Sequence, residues 1–478
     1  MQSYPDQFIG GQWRPGRGAR TMENRNPLTG ELLYTYQSAS IEDVDDAYKA
    51  AAKAQPDWAG LMPSEQQGYF FKLLDVIADM KAEIMSVMVE EGGSTAPKSD
   101  FEFFTSLDIV KQDMQFPYLM DGKILPSNIP HQDNYIFKMP RGVIGVIAPW
   151  NVPLVLALRS VIPAVATGNG VVLKPATDSP ASAALVGEMF ERAGFPAGLV
   201  NVVMGAGSEI GDAIVSHPIP DLISFTGSTP VGRHIGEVAT GLLKTVSLEL
   251  GGNNAMIVLD DADAEAAARA AIFGAFFHQG QVCMALNRIV VTPGAHDRFV
   301  EALVAAAKAT PVGDPADPAT FIGPIINPAQ VKSVEGFVDG TIKAGAKVAL
   351  EGRTDGALIH PWVFDQVTND MPAAANEVFG PVCCVITAKD EDEAIAIAND
   401  TEHGLSGSVF TEDLYHGIQV AKRMRTGMVH VNDQSISDEP HVMFGGEKAS
   451  GLGRFNAQWV VDKFTTERWI SVQTAHRF

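Results

Sequence analysis

From Arg141 onward, short β-branched runs alternate with helix-length segments, and this alternation predicts an α/β fold. The runs are apolar throughout, as strands buried on both faces of a parallel sheet are. Glycine or proline stands at many of the junctions and keeps the connections short. Together these features predict parallel, doubly wound sheets.

Residues 142–148 (GVIGVIA) and 170–173 (GVVL) are the first two strands, with a helix over 154–167 between them. A second helix covers 179–193, ended by Gly194 and Pro196. Strand 199–203, helix 208–216, strand 221–225, a helix from Thr229 and strand 245–250 complete this series. A second series follows: strand 255–259, an Ala-rich helix over 263–278 capped by Asp263, strand 288–292 and helix 295–309. It resumes with strand 382–387, a helix near 392–399 and strand 406–410. Two such series leave a cleft between them, where a ligand is expected. Residues 122–138 read as a polar hairpin, and 459–472 show strand-like alternation. Both segments can pair with another subunit's sheet or cover this chain's own edges.

At 478 residues the chain exceeds one ordinary core and divides into two or three domains. Hydrophobic residues make up 46% and charged ones 19%, the balance of a globular enzyme and not of a disordered chain. A net charge of -22 argues against nucleic acid, whose phosphates are bound by clustered Lys and Arg, and against an anionic membrane surface. The acidity also has a plainer reading, as a solubility device. The opening MQSYPDQFIGGQW is polar where a signal peptide needs an apolar core. The most apolar run, 143–172, is broken by Pro149, Asn151, Pro153, Arg159 and Pro163 and is not a membrane span. Three cysteines cannot build a disulfide framework, so a cytoplasmic location is expected. Cys383 and Cys384, in PVCCVIT, read as core residues, and no HxxxH or CxxC spacing suggests a metal.

One cysteine has a different setting. Cys283 follows the turn HQGQVC, from which a side chain can project into a cleft on flexible backbone. As a nucleophile it needs a lowered pKa, from a positive field or amide dipoles; otherwise it is a small core residue. Glu249 ends a strand in LELGG, and a carboxylate leaving a buried strand is ion-paired or functional. Asn151 lies between two prolines in APWNVP, which fixes its amide as an oxyanion donor requires; a turn-forming role is the alternative. FTGSTPVG, 225–232, offers a strand, a turn and a helix start whose free N–H groups can face a pyrophosphate. The dinucleotide fingerprint GxGxxG is absent, since GAGSEIG at 205–211 has the wrong spacing. Lys174 and Glu377 are further polar residues at strand or loop ends.

Together APWNVP, LKPA, FTGSTPVG, LELGG, GQVC, EVFGP and FGGEKASGLGR resemble the aldehyde dehydrogenase superfamily, in its order and over nearly the whole chain. The resemblance implies an aldehyde dehydrogenase-like α/β fold. Residues 1–121 and 139–250 would form a Rossmann-type nucleotide-binding domain, and 251–432 the catalytic domain. Residues 122–138 and 455–478 would form a small β oligomerisation element of a homodimer or homotetramer. It implies Cys283 as nucleophile, Glu249 as base and Asn151 as oxyanion donor, with NAD or NADP as cofactor. Lys174 and Glu377 would hold the cofactor riboses, with Gly227, Ser228, Thr229 and Gly232 along the pyrophosphate. Trp150, Thr177, Gly251 and Phe379 complete the cofactor-facing set, and Val152, Val155, Arg159, Met284 and Phe444 the substrate-facing one. AFFHQGQVCM and HVNDQSISDEP look like the benzaldehyde, vanillin and salicylaldehyde branch. An aliphatic or semialdehyde substrate is the alternative, and an inactive relative serving as a binding or structural protein is a second.

Three details bear on specificity. Many NAD-preferring relatives have glutamate where Thr177 stands; threonine does not repel a 2′-phosphate, although Asp178 is adjacent, so both cofactors are expected to work. Arg159 lies eight residues after Asn151, which on a helix returns it to within about 80° of the same face. Its guanidinium can meet an aromatic substrate or form a structural salt bridge. HVMFGG departs from the family's proline before phenylalanine, so Met443 would reshape one wall of the substrate tunnel.

Overall fold

The computed structural model describes residues 6–476. The first five residues of the range 1–121, which open the chain, and the last two of 455–478 lie outside the described residues.

Two sheets carry the architecture. The first has eight strands, ordered Gln12–Arg14, Gln7–Ile9, Val200–Val202, Gly170–Lys174, Val143–Ile147, Leu222–Thr226, Thr245–Glu249 and Gly451–Leu452. Its five central strands run parallel, while Gln7–Ile9 and Gly451–Leu452 join antiparallel at the two sides. The series starts at Val143–Ile147, steps outward twice on one side and then returns to the other side for Leu222–Thr226. That reversal opens a crevice beyond the strand ends, where ligands bind in doubly wound sheets. Strand Gly170–Lys174 and helix Pro153–Ala166 are buried along their whole length, so their residues read as continuous apolar runs.

The second sheet has seven strands: Lys347–Leu350, Trp362–Asp365, Val382–Thr387, Leu286–Val291, Asn254–Val258, Gly407–Phe410 and His430–Val431. All neighbours are parallel except the first pair. Cys383 and Cys384 are fully buried in Val382–Thr387, as core residues. Helix Ala264–Phe276 starts where Asp263 accepts hydrogen bonds from the Glu265 and Ala266 amides, the expected cap.

The N-terminal segment folds as Ile41–Ala59, Pro63–Asp79, Lys81–Gly92 and Ala96–Asp113. Ser40 and Asp43 form a capping box at the first of these helices. Several of their apolar faces enter the same core as helix Pro153–Ala166, through Trp58, Phe70, Leu73, Ile84 and Val110.

The 122–138 hairpin forms as Gly122–Leu125 and Gln132–Pro140. Its longer strand pairs with Thr465–Gln473 of the same chain, from Thr465↔Pro140 to Gln473↔Gln132. The C-terminal expectation needs correction: strand-like alternation over 459–472 is a helix, Ala457–Phe464, followed by the strand Thr465–Gln473. Val460, Val461 and Phe464 fall on one helical face and are buried in the core, which overrides the local alternation. The segment 433–454, outside the three expected domain ranges, supplies the edge strand Gly451–Leu452 to the first sheet.

Candidate active site

The first sheet presents its strand C-termini to the cleft, and the second presents segments leading into its strand N-termini. They enclose a cavity of about 340 Å³ lined by Trp150, Asn151, Gly227, Ser228, Gly251, Cys283, Glu377 and Phe379, all of them expected site residues. Leu156, Gln330, Ser333 and Phe337 line it as well.

Cys283 is half-buried in this wall. The preceding turn is not flexible. His278 and Gln279 adopt left-handed backbone (φ +51° and +60°), an arrangement held from outside the turn. The Gln279 amide donates to the Gly93 and Pro324 carbonyls at 3.1 and 2.9 Å, and the Ile326 N–H donates to Gln281 Oε1 at 3.0 Å. Asn254 Nδ2 donates to the Cys283 carbonyl at 2.8 Å. The electrostatics also differ from the expectation of a lowered pKa. Burial pushes the Cys283 thiol up to about 12, the Glu377 carboxylate adds to this, and the Arg159 charge opposes it. The resting group is the neutral thiol.

Asn151 is buried and donates one amide N–H to the Gln281 carbonyl at 2.9 Å, which leaves its second N–H free. Glu249 is 3% exposed and neither carboxylate oxygen has a hydrogen-bond partner among the described residues. Burial raises its pKa to about 8 against the pull of Lys463, Arg159 and Arg454. A shielded carboxylate with that pKa is a base near neutrality, not a structural ion-pair member. Thiol, amide donor and base thus share one neighbourhood, as nucleophilic acyl chemistry requires.

Residues 13–470 match the model of the aldehyde dehydrogenase family. The chain belongs to the aldehyde dehydrogenase family. It is 47% identical to a vanillin dehydrogenase of Corynebacterium glutamicum, over 98% of this chain and 97% of that protein. A benzaldehyde dehydrogenase of Bacillus subtilis is 46% identical over the same shares. The crystal structure of a NAD-dependent benzaldehyde dehydrogenase from Corynebacterium glutamicum has a TM-score of 0.91 at 43% identity, covering 98% of this chain and 99% of that one. This aldehyde dehydrogenase is therefore an oxidoreductase acting on an aldehyde group.

Its dinucleotide side fits a bound cofactor. Glu377 accepts the Gly252 N–H at 3.0 Å through Oε1 and has no hydrogen bond on Oε2 among the described residues, an open acceptor for sugar hydroxyls. A Cβ at Gly251 would meet that Oε2 at 2.3 Å, so glycine there leaves the Glu377 carboxylate in its present place. Lys174 is buried at its strand end, donates to the Pro175 carbonyl and has its pKa lowered by burial to about 8. Thr177 is half-buried in the loop beyond. The 227–232 turn works differently from the expectation. The Gly227 and Gly232 amides are already committed, to the carbonyls of Glu249 and Ser228. The amides left without an intrahelical acceptor belong to Ser228, Thr229 and Val231, because Pro230 has none and Ser228 makes no side-chain cap. A Cβ at Gly232 would strike Leu250, so that glycine lets the helix pack close to the Glu249 strand. Trp150 and Phe379 meet edge to face at 5.5 Å.

The expected substrate-facing residues are outside the lining of this cavity. Val152, Val155, Met284 and Phe444 belong to the apolar cluster packed against Cys283 and do not line this cavity; Leu156 does. Arg159 is buried, ion-paired with Asp438 and stacked 4.2 Å from the Phe444 ring centroid. It has the structural salt bridge of the two roles considered for it. Gln330, Ser333 and Phe337 were missed, although Asn327-Pro328 is a legible helix start and the three share one face of Pro328–Lys343. Gln330 Nε2 donates to the Val378 and Phe379 carbonyls, fixing the turn beside Glu377.

In the cofactor-free enzyme, iodoacetamide is expected to label Cys283 slowly at neutral pH, with a rate still climbing at about pH 10 because the thiol titrates near 12. Glu377→Gln removes a charge that keeps the thiol protonated, so labelling at about pH 9 should accelerate about threefold or more. An unchanged rate would mean that burial alone sets the thiol.

Proposed function

We propose that this dehydrogenase oxidises aromatic aldehydes of the benzaldehyde and vanillin type to carboxylic acids, with NAD or NADP as hydride acceptor. The observation that carries the reading is near-full-length likeness to vanillin and benzaldehyde dehydrogenases at 46–47% identity. The cofactor, when bound, supplies the hydride acceptor. Lys174, Thr177 and Glu377 hold its riboses, Ser228 and Thr229 its pyrophosphate, and Trp150, Gly251 and Phe379 the surrounding wall.

Cys283 gives its proton to water and its sulfur attacks the aldehyde carbon, giving a tetrahedral oxyanion. The free N–H of Asn151 and the Cys283 amide donate to that oxygen. Hydride loss leaves a thioester on Cys283. Glu249 then takes a proton from water, the resulting hydroxide attacks the thioester carbonyl, and the acid departs as the Cys283 thiolate takes that proton back from Glu249. Residues 1–121 with 139–250 serve as the nucleotide-binding unit and 251–432 as the catalytic unit. Residues 122–138 with 455–478 serve oligomerisation, in a homodimer or homotetramer. The exposed Ile124 and Trp469 on the three-stranded sheet support that assignment. A cytoplasmic location is proposed on the three free cysteines.

Glu249→Gln is expected to keep a pre-steady-state burst of reduced cofactor and lose steady turnover by about 100-fold or more. Wild-type turnover should climb with pH through about 8, where Glu249 ionises, and the climb should vanish in the variant. Burst and turnover falling in equal proportion would reassign Glu249 to activating Cys283.

Thr177 in place of a carboxylate predicts that NADP works with at least about a thousandth of the NAD efficiency. A smaller ratio in kcat/KM would remove Thr177 from the argument.

Benzaldehyde or vanillin should exceed propanal in kcat/KM by about tenfold or more, since a ring buries more apolar surface. Arg159→Ala should lower Tm and depress both substrate classes alike, because it breaks the Asp438 pair; a selective loss on hydroxylated aromatics would place the guanidinium on the substrate.

A further inference from the structure

Among the described residues, Lys98–Glu102 is the one ion pair with both side chains completely shielded from solvent. A pair in that position is weak evidence of stability, because removing two charges from water offsets their attraction. Its partners point to another role. Lys98 Nζ donates to Glu102 Oε2 at 2.5 Å, to Ser94 Oγ at 2.9 Å and to the Asn151 carbonyl at 2.9 Å, three acceptors for three protons. Glu102 Oε1 accepts the Leu154 and Val155 amides at 2.8 and 3.2 Å. Those amides open helix Pro153–Ala166, whose N-cap Val152 offers no side-chain acceptor. The pair therefore grips the backbone on both sides of the Asn151–Pro153 turn.

We propose that Lys98 and Glu102 are positioning residues that aim the Asn151 amide at the oxygen of the reacting aldehyde. This rests on the oxyanion role of Asn151. Lys98 fixes the Asn151 carbonyl, Glu102 fixes the helix that follows, and the Asn151 side chain is tied to the Gln281 carbonyl two residues before Cys283. With the backbone pinned at both ends, the remaining amide N–H keeps one direction. Oxyanion donors act only near hydrogen-bond contact, so a small backbone shift is enough to lose the effect.

The double variant K98M/E102Q tests this. It leaves no orphan charge, and the Gln oxygen still caps Leu154, but nothing holds the Asn151 carbonyl. The variant should fold with a Tm close to wild type and bind NAD as before. Its burst of reduced cofactor and its thioester hydrolysis, which both pass through an oxyanion on the substrate oxygen, should each slow about tenfold or more while Tm and NAD affinity hold, a split that general loosening would not give. Adding Asn151→Ala should cost less in this background than in the unaltered enzyme. A burst rate within about twofold of wild type, or an Asn151→Ala cost equal in both backgrounds, would overturn the proposal. If Asn151→Ala leaves the burst of the unaltered enzyme unchanged, the oxyanion role itself fails. Should K98M/E102Q not fold, K98M/E102M is the second variant and should slow the burst further by removing the cap; failure of both to fold would assign the pair to stability and end the positioning role.

Discussion

The chain crosses from one sheet to the other through Leu250–Asn253, and the closeness of that crossing constrains the whole site. A Cβ on Gly251 would lie 2.3 Å from the Glu377 carboxylate, and one on Gly252 would lie 2.3 Å from the Cys283 carbonyl. The strand bearing Glu249 thus leads straight against the turn bearing Cys283 at Gly252, where a backbone carbonyl leaves no room for a side chain, and against the Glu377 carboxylate at Gly251. Asn254, the first residue beyond the crossing, donates to the carbonyls of both Cys283 and Ala285. Nucleophile and base are brought together by backbone packing, which is stiffer than any side-chain contact.

Burial at this junction has an electrostatic consequence. Cys283, Glu249, Glu377 and Lys174 are all driven toward their neutral forms, chiefly by desolvation. Arg159, whose pKa falls to about 10, remains a cation and lowers the pKa of both Cys283 and Glu249. Its pairing with Asp438 and its stack on Phe444 hold that charge in place. Arg159 therefore bears on catalysis as a fixed field even without touching a substrate.

Much of the architecture was legible in the sequence, for a physical reason. Parallel strands buried on both faces need uninterrupted apolar residues, so GVIGVIA and GVVL locate their strands within one or two positions. Asp263 located its helix because a cap is a local hydrogen bond. The four N-terminal helices and Pro328–Lys343 carry mixed sequences whose apolar faces emerge only when packed. Ala457–Phe464 departs from the expected strand because tertiary burial selects Val460, Val461 and Phe464 as one helical face. Within the site, motif residues such as Asn151, Cys283 and Glu377 were legible because strand and loop ends confine them. Their protonation was not, since it depends on neighbours distant in sequence, such as Arg159 for Glu249.

The two N-terminal helices nearest the site share a device that no local pattern displays. Glu91, at the end of Lys81–Gly92, accepts the Ala181 and Ser182 amides that open helix Pro180–Arg192. Glu102, from Ala96–Asp113, does the same for the Leu154 and Val155 amides of Pro153–Ala166. Neither recipient helix has a side-chain cap of its own, so two consecutive helices of the first sheet receive their caps from outside. A carboxylate against a helix N-terminus is favoured by the free amides and by the helix dipole, which compensates part of the cost of burying it. Glu91 retains that cost as a pKa raised to about 7. Glu102 forms an ion pair with Lys98. Glu91 caps helix Pro180–Arg192, while Glu102 caps the helix that begins just beyond Asn151. The N-terminal layer is thus part of the site's framework, although none of its residues lines the catalytic cavity.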